Sequence, residues 1–199
     1  MPKLYFKYGT MNSGKTSQLL MVAHNYKSQG KSVILLKPDV DHRFGVSSIH
    51  SRIGVTMQAD VIVGRNDDIL SIIVERGEQL AACILVDECQ FLEPAHINQL
   101  RVLAEYTPVI CYGLKTDYLT NLFPGAKRLM ELADSIEEIR TICVLCNKKA
   151  LINAKFSSAA DGTKCIVRNE AGTCAGSSSN IEIGAEELYQ PMCYLCWKK

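Results

Sequence analysis

The sequence predicts an α/β fold, a parallel sheet flanked by helices, followed by a small cysteine-bearing domain. Three observations carry this. Apolar runs of strand length alternate with helix-spaced segments up to about residue 140. A glycine-rich loop stands between the first run and the first helix, and beyond Thr141 the chain turns to short strand-like pieces, a Gly/Ser-rich stretch and two Cys-x-x-Cys pairs. Strands joined by helical crossovers lie parallel and are covered on both faces. The expected organisation is therefore a domain of residues 1–140 and a second of residues 141–199.

Taken in order, "KLYFKYG" reads as a short strand running into the loop, and "SQLLMVAHNYKSQG" sets Leu19, Leu20, Ala23 and Tyr26 near helical spacing before Gly30 stops it. "KSVILLKP" is an apolar strand halted by Pro38. "NDDILSIIVERGEQL" opens with an Asn/Asp cap and continues with helical spacing; "AACILVDE" is a buried strand ending in two acids. A proline opens the helix "PAHINQLRVLAEY", "TPVICYGL" is a further central strand, and "PGAKRLMELAD" is the next helix. After Thr141 no long helix is expected, and "AGTCAGSSSNIEIG" reads as a Gly/Ser-rich insertion.

Composition bounds the function. At 199 residues, 47% hydrophobic and 22% charged, the chain suits one full domain plus a small appendage. A formal charge of +1 offers no general attraction to nucleic acid or an anionic membrane, so neither is expected as a partner. "MPKLYFKYGT" lacks the apolar core of a signal peptide, and no run approaches the roughly 20 apolar residues that span a bilayer, so a cytoplasmic location is expected. Of nine cysteines, Cys83, Cys89, Cys111, Cys165 and Cys174 show no regular spacing and read as free thiols, mostly small buried hydrophobes.

Gly9, Thr10, Met11, Asn12, Ser13, Gly14, Lys15 and Thr16 fit the pattern G-x-x-x-x-G-K-[ST]. The glycines let successive N–H groups point at phosphate oxygens, Lys15 reaches the terminal phosphates, and Thr16 offers a hydroxyl to Mg²⁺ at a helix start whose dipole favours anions. The predicted fold is accordingly of the P-loop NTPase type. Such a site needs an acid at the end of a neighbouring strand, and "CILVDECQF" supplies Asp87 after four apolar residues. Glu88 beside it is placed to take a proton from whatever attacks the γ-phosphate, water or a hydroxyl alike.

Cys143 and Cys146, with Cys193 and Cys196, have the spacing of two thiolate knuckles, each able to give two ligands to a tetrahedral structural Zn²⁺. The interval between the pairs, residues 147–192, exceeds that of a usual zinc ribbon and must form a long loop or hairpin. Two redox or simply buried cysteine pairs are the competing reading; both pairs sit outside the βαβ region, which weakens a thioredoxin-like assignment.

Through "GTMNSGKT", "DHRF", "VDECQF", "CYGLKTDY", "TICVLC" and "IEIGAEELYQPMCYLC", nearly end to end, the chain resembles the thymidine kinases that join a P-loop domain to a small zinc domain. The resemblance implies transfer of the γ-phosphoryl group of ATP to the 5′-hydroxyl of thymidine, and of deoxyuridine, with Glu88 as the base on that hydroxyl and Asp87 anchoring Mg²⁺ through water. It adds Asp41, His42, Arg43, Cys89 and Gln90 to the nucleotide-binding positions. It also places Met11, Phe91, Leu114, Tyr118 and Phe123 around the flat base. A "lasso" loop tied down by the zinc would close over that base through backbone atoms; here it falls on Asn180, Ile181, Glu182, Ile183 and Gly184, with Tyr189 beside it. The resemblance further implies a homotetramer in nucleotide salvage, with thymidine triphosphate as feedback inhibitor. The chain departs from the family pattern in a long segment 155–179, in Lys115 where an aspartate is frequent, and in ending soon after Cys196.

The competing function is a P-loop ATPase or helicase-like module with a structural zinc site, because "DECQ" resembles the acidic box of helicases. Such motors generally need a second ATPase lobe, which a short cysteine-rich tail does not supply. A zinc-containing nucleic-acid binder lacks the expected basic and aromatic stripe. A GTPase is disfavoured because "NKKA" lacks the guanine-reading aspartate.

Overall fold

The computed structural model describes residues 3–40, 47–77, 81–158, 164–168 and 188–199. β1 (Leu4–Tyr8) runs into the glycine-rich loop, from which α1 (Lys15–Ser28) starts. There follow β2 (Val33–Pro38), a hairpin of β3 (Ser48–His50) and β4 (Thr56–Gln58), β5 (Val61–Val63), α2 (Ile69–Glu75), β6 (Cys83–Val86), α3 (Pro94–Leu103), β7 (Val109–Gly113), α4 (Pro124–Leu132) and β8 (Ser135–Glu138). The C-terminal part holds β9 (Ile152–Ser158), β10 (Lys164–Val167), β11 (Tyr189–Met192) and α5 (Tyr194–Lys198).

Six strands form one parallel sheet in the order β5-β2-β6-β7-β1-β8. Alternation along β2 explains how both faces are covered. Ile34 and Leu36 pack with Ile69 and Ile73 of α2, Ile97 and Leu100 of α3 and Leu129 of α4, whereas Val33 and Leu35 pack on the other face with Leu19, Leu20 and Ala23 of α1. Each such aliphatic side chain fully withdrawn from water contributes about 1.5–3 kcal/mol.

Local sequence sets the helix limits. Gly14 at φ 83° precedes α1. Gly30 at φ 71° ends it, its N–H donating to Lys27 O at 3.0 Å. Asp68 caps α2 by accepting from the N–H groups of Leu70 and Ser71. Prolines open α3 and α4.

The sheet contains more than the apolar runs predict. β5 is only three residues long, and β8 is an edge strand whose residues are mostly exposed, so neither presents a recognisable run. β6 and β7 lie between β1 and β2, so the strands of the first βαβ unit are not neighbours.

The C-terminal sheet is antiparallel in the order β10-β9-β11 and has its own small core, in which Cys143, Ala154, Met192 and Cys193 are buried against Phe156, Ile166 and Trp197. Cys83, Cys89 and Cys111 are free and buried. Cys165 is instead disulfide-bonded, which corrects its reading as a free thiol: irregular spacing carries no information about which sulfurs folding brings together. Among the described residues no helix is long and apolar enough to cross a membrane.

Candidate active site

The carboxyl ends of β1, β6 and β7 converge, the usual place for a ligand on an open parallel sheet. β1 delivers the loop from Gly9 to Thr16. The loop is drawn in by Gly9 N–H donating to Gly113 O and Ser13 N–H donating to Thr10 O, both at 3.3 Å, and Asn12 takes a left-handed φ of 63°. Lys15 is buried and its Nζ donates to Thr10 O at 2.9 Å. Burial pushes its amine below the usual lysine range, while the charges of Glu88 and Asp87 pull it back up.

β6 delivers the acids. Asp87 is buried, and Thr16 Oγ1 donates to its two oxygens at 3.2 and 3.3 Å. Burial, reinforced by the neighbouring Glu88, pushes the Asp87 carboxyl up to about 7, against the pull of Lys15. A buried carboxylate and a hydroxyl within reach of each other form a hard oxygen donor set, and a divalent cation there would favour the ionised acid. Thr10 Oγ1 and Ser13 Oγ are buried with no hydrogen-bond partner among the described residues. Unpaired buried hydroxyls in this loop suit the oxygens of an anion.

Glu88 has φ 50° and ψ 36° and opens the 3-10 turn Cys89–Phe91. Its Oε2 accepts from Gln90 Nε2 at 2.6 Å, and Gln90 Oε1 accepts from the N–H of Leu114 at 2.9 Å. Burial raises the Cys89 thiol well above its ordinary range, and its hydrogen bond to Cys111 adds to this.

Four of the expected base-binding residues form two aromatic pairs. Phe91 and Phe123 meet edge to face with centroids 5.6 Å apart. Tyr118, in the loop after β7, lies 6.4 Å from Tyr189 of β11, and the Lys155 ammonium stands 5.4 Å above the Tyr118 ring. Lys115 lies over the Tyr8 ring at 5.4 Å. Asp41, His42 and Arg43, and Asn180, Ile181, Glu182, Ile183 and Gly184, lie outside the described residues.

One residue was not expected. Asn153 of β9 is buried, accepts the Met11 N–H on Oδ1 at 2.7 Å and donates from Nδ2 to Thr116 O at 3.5 Å. It joins the phosphate loop to the C-terminal sheet. No sequence signal marks it, because the two partners are 142 positions apart.

The ligand atoms of Cys143, Cys146, Cys193 and Cys196 all lie within 4.8 Å of one another. Tetrahedral Zn–S bonds of 2.3 Å would set sulfurs roughly 3.8 Å apart, so the four-thiol set fits zinc in size and softness. Burial opposes ionisation of Cys143, yet N–H donors of Cys193, Leu145 and Cys146 bring its thiol down to about 6. The Cys196 N–H likewise lowers Cys193, while hydrogen bonds with Cys146 and Cys193 push Cys196 up to about 12.

A family model described as thymidine kinase matches residues 2–197. The chain belongs to the thymidine kinase family. Both the parallel sheet and the cysteine cluster fall within the span of the thymidine kinase model. A thymidine kinase of Streptococcus gordonii is 44% identical over 97% of this chain and 94% of its own length. One of Lactiplantibacillus plantarum is 40% identical over 97% of this chain and 94% of its own length. Among solved structures, a DNA replication initiation factor aligns with a TM-score of 0.40 at 16% identity, covering 69% of this chain and 40% of that one.

Proposed function

We propose that the chain transfers the γ-phosphoryl group of ATP to the 5′-hydroxyl of thymidine, and of deoxyuridine, giving the nucleoside monophosphate. The observation that carries this reading is the pair of adjacent carboxylates ending β6, with Asp87 on the hydroxyl of the phosphate loop and Glu88 tied through Gln90 to Leu114. Two acids in such different surroundings suit two tasks, metal anchoring and proton acceptance.

In this reading the loop N–H groups and Lys15 hold the phosphates of ATP. Mg²⁺, held through Asp87 and Thr16, would supply charge neutralisation on them. Glu88 accepts the proton of the attacking hydroxyl, while Met11, Phe91, Leu114, Tyr118, Phe123 and Tyr189 enclose the base and turn that hydroxyl toward the phosphate. Asp41 and Arg43 belong to the nucleotide side of the proposal. Residues 141–199 would be a zinc-stapled domain whose lasso, residues 180–184, reads the base and excludes water. A homotetramer inhibited by thymidine triphosphate, resident in the cytoplasm, belongs to the same family-based reading.

The test follows labelled γ-phosphate from ATP in the presence of Mg²⁺, with and without thymidine. Label is expected in thymidine monophosphate. Label appearing only as free phosphate, at the same rate with or without thymidine, would overturn the kinase reading in favour of an ATPase.

A further inference from the structure

We infer that Gln90 is a positioning residue, holding the Glu88 carboxylate in place against the backbone of the acceptor pocket. The inference rests on the reading of Glu88 as the proton acceptor.

Gln90 stands within the acidic motif and belongs by position to the nucleotide-binding set, yet its side chain is 1% exposed and turned inward. Its amide is used at both ends. The Leu114 N–H can only donate, so the atom that faces it at 2.9 Å is the amide oxygen, and the other end must be the NH₂ group. That group donates to Glu88 Oε2 at 2.6 Å. One rigid amide thus spans from the carboxylate to the main chain of Leu114, a residue of the proposed acceptor pocket.

Three further features build the arrangement. Glu88 sits at φ 50°, a left-handed conformation that a residue with a side chain keeps only where its surroundings over-determine it. The 3-10 turn that follows brings Gln90 back beneath the carboxylate two residues upstream. Gly113 opens the slot: a Cβ there would run into Gln90 Oε1 and come within 2.7 Å of Cys89 Sγ. Leu114, next in the chain, can then offer its N–H.

The consequence is geometric. A glutamate has three rotatable bonds, and a base must hold one oxygen toward the hydroxyl at the moment of transfer. Occupying Oε2 with a donor fixes the carboxylate plane and leaves Oε1 for the proton. Because the donor is anchored to Leu114, base and acceptor pocket share one frame.

The test measures thymidine monophosphate formation by the wild-type chain, Gln90→Met, Glu88→Ala and the double variant. Gln90→Met is expected to lower kcat by about 10-fold to 100-fold with KM for ATP and thymidine within about 2-fold. In the Glu88→Ala background the same substitution should change kcat by less than about 2-fold, because nothing is left to hold. A loss of equal factor in both backgrounds, or a raised KM for ATP at unchanged kcat, would overturn the inference and put Gln90 on the nucleotide. If Glu88→Ala keeps native turnover, the base reading falls and this inference with it. A disabled Glu88→Ala beside a native Gln90→Met rejects positioning alone. Should Gln90→Met melt early, its kcat is measured at a temperature where circular dichroism shows the fold intact, and a native kcat there would also reject the inference.

Discussion

Lys15 and Asp87 sit close enough to shift each other's charge balance, both under the influence of the Glu88 charge, and the site depends on the unequal surroundings of the two acids. Lys15 and Asp87 are buried, and the burial that weakens the charged form of each is offset by the other. Glu88 is less enclosed and, among the described residues, takes its order from the Gln90 amide. Replacing Glu88 with Gln keeps the shape and removes the basic oxygen. Glu88→Gln should therefore cut turnover by about 10²-fold or more while a calorimetric titration finds ATP binding nearly intact; loss of ATP binding instead would make Glu88 a metal or structural residue. At this scale the loop from Gly9 to Thr16 was legible because its roles fall on consecutive residues. Asp87 was legible because it directly follows a buried strand. Gln90 enters the nucleotide-binding set through the family resemblance, and only the folded chain shows its amide buried between Glu88 and Leu114.

Among the elements, α2 offers a clean measure of local coding. Asp68 Oδ1 accepts from the N–H of Leu70 at 3.0 Å and of Ser71 at 3.3 Å, satisfying donors that the first helical turn leaves open. Asp68→Ala should lower stability by about 1 kcal/mol in urea unfolding, and Asp68→Asn should recover most of it. β9 offers the opposite case, an element acting at a distance. Asn153→Ala would leave the half-buried Met11 N–H without its acceptor and loosen the phosphate loop, so the Kd for ATP should rise by about 5-fold or more in an equilibrium titration. An unchanged Kd would mean the loop holds its shape without β9. β2, β6 and β7 were visible as elements because a strand buried on both faces is apolar throughout. β8 was not, because an exposed edge strand is held by its pairing with β1 and not by burial of its own side chains.

For the whole molecule, the C-terminal sheet poses a stability problem that its sequence alone answers only in outline. Among the described residues the cluster at the heart of this sheet encloses four side chains, two of them cysteines, a small core for three strands, and metals commonly supply what such small cores lack. Complete metal removal from the chain as purified should lower its melting temperature, and Cys143→Ala should do the same without chelation. An unchanged melting curve after removal would contradict the zinc assignment. The sequence by itself determined the parallel α/β class, the phosphate loop with its acids and the pairing of cysteines at metal-ligand spacing. All three are carried by residues close together in the chain, where periodicity and spacing report directly on backbone geometry. The tertiary structure alone decided the strand order, the amide bridge from Glu88 to Leu114, the contact of Asn153 with Met11 and the aromatic pair of Tyr118 and Tyr189. Most of these depend on chain crossings between distant segments, and the short reach from Glu88 to Gln90 depends on a turn whose direction is set by what packs against it.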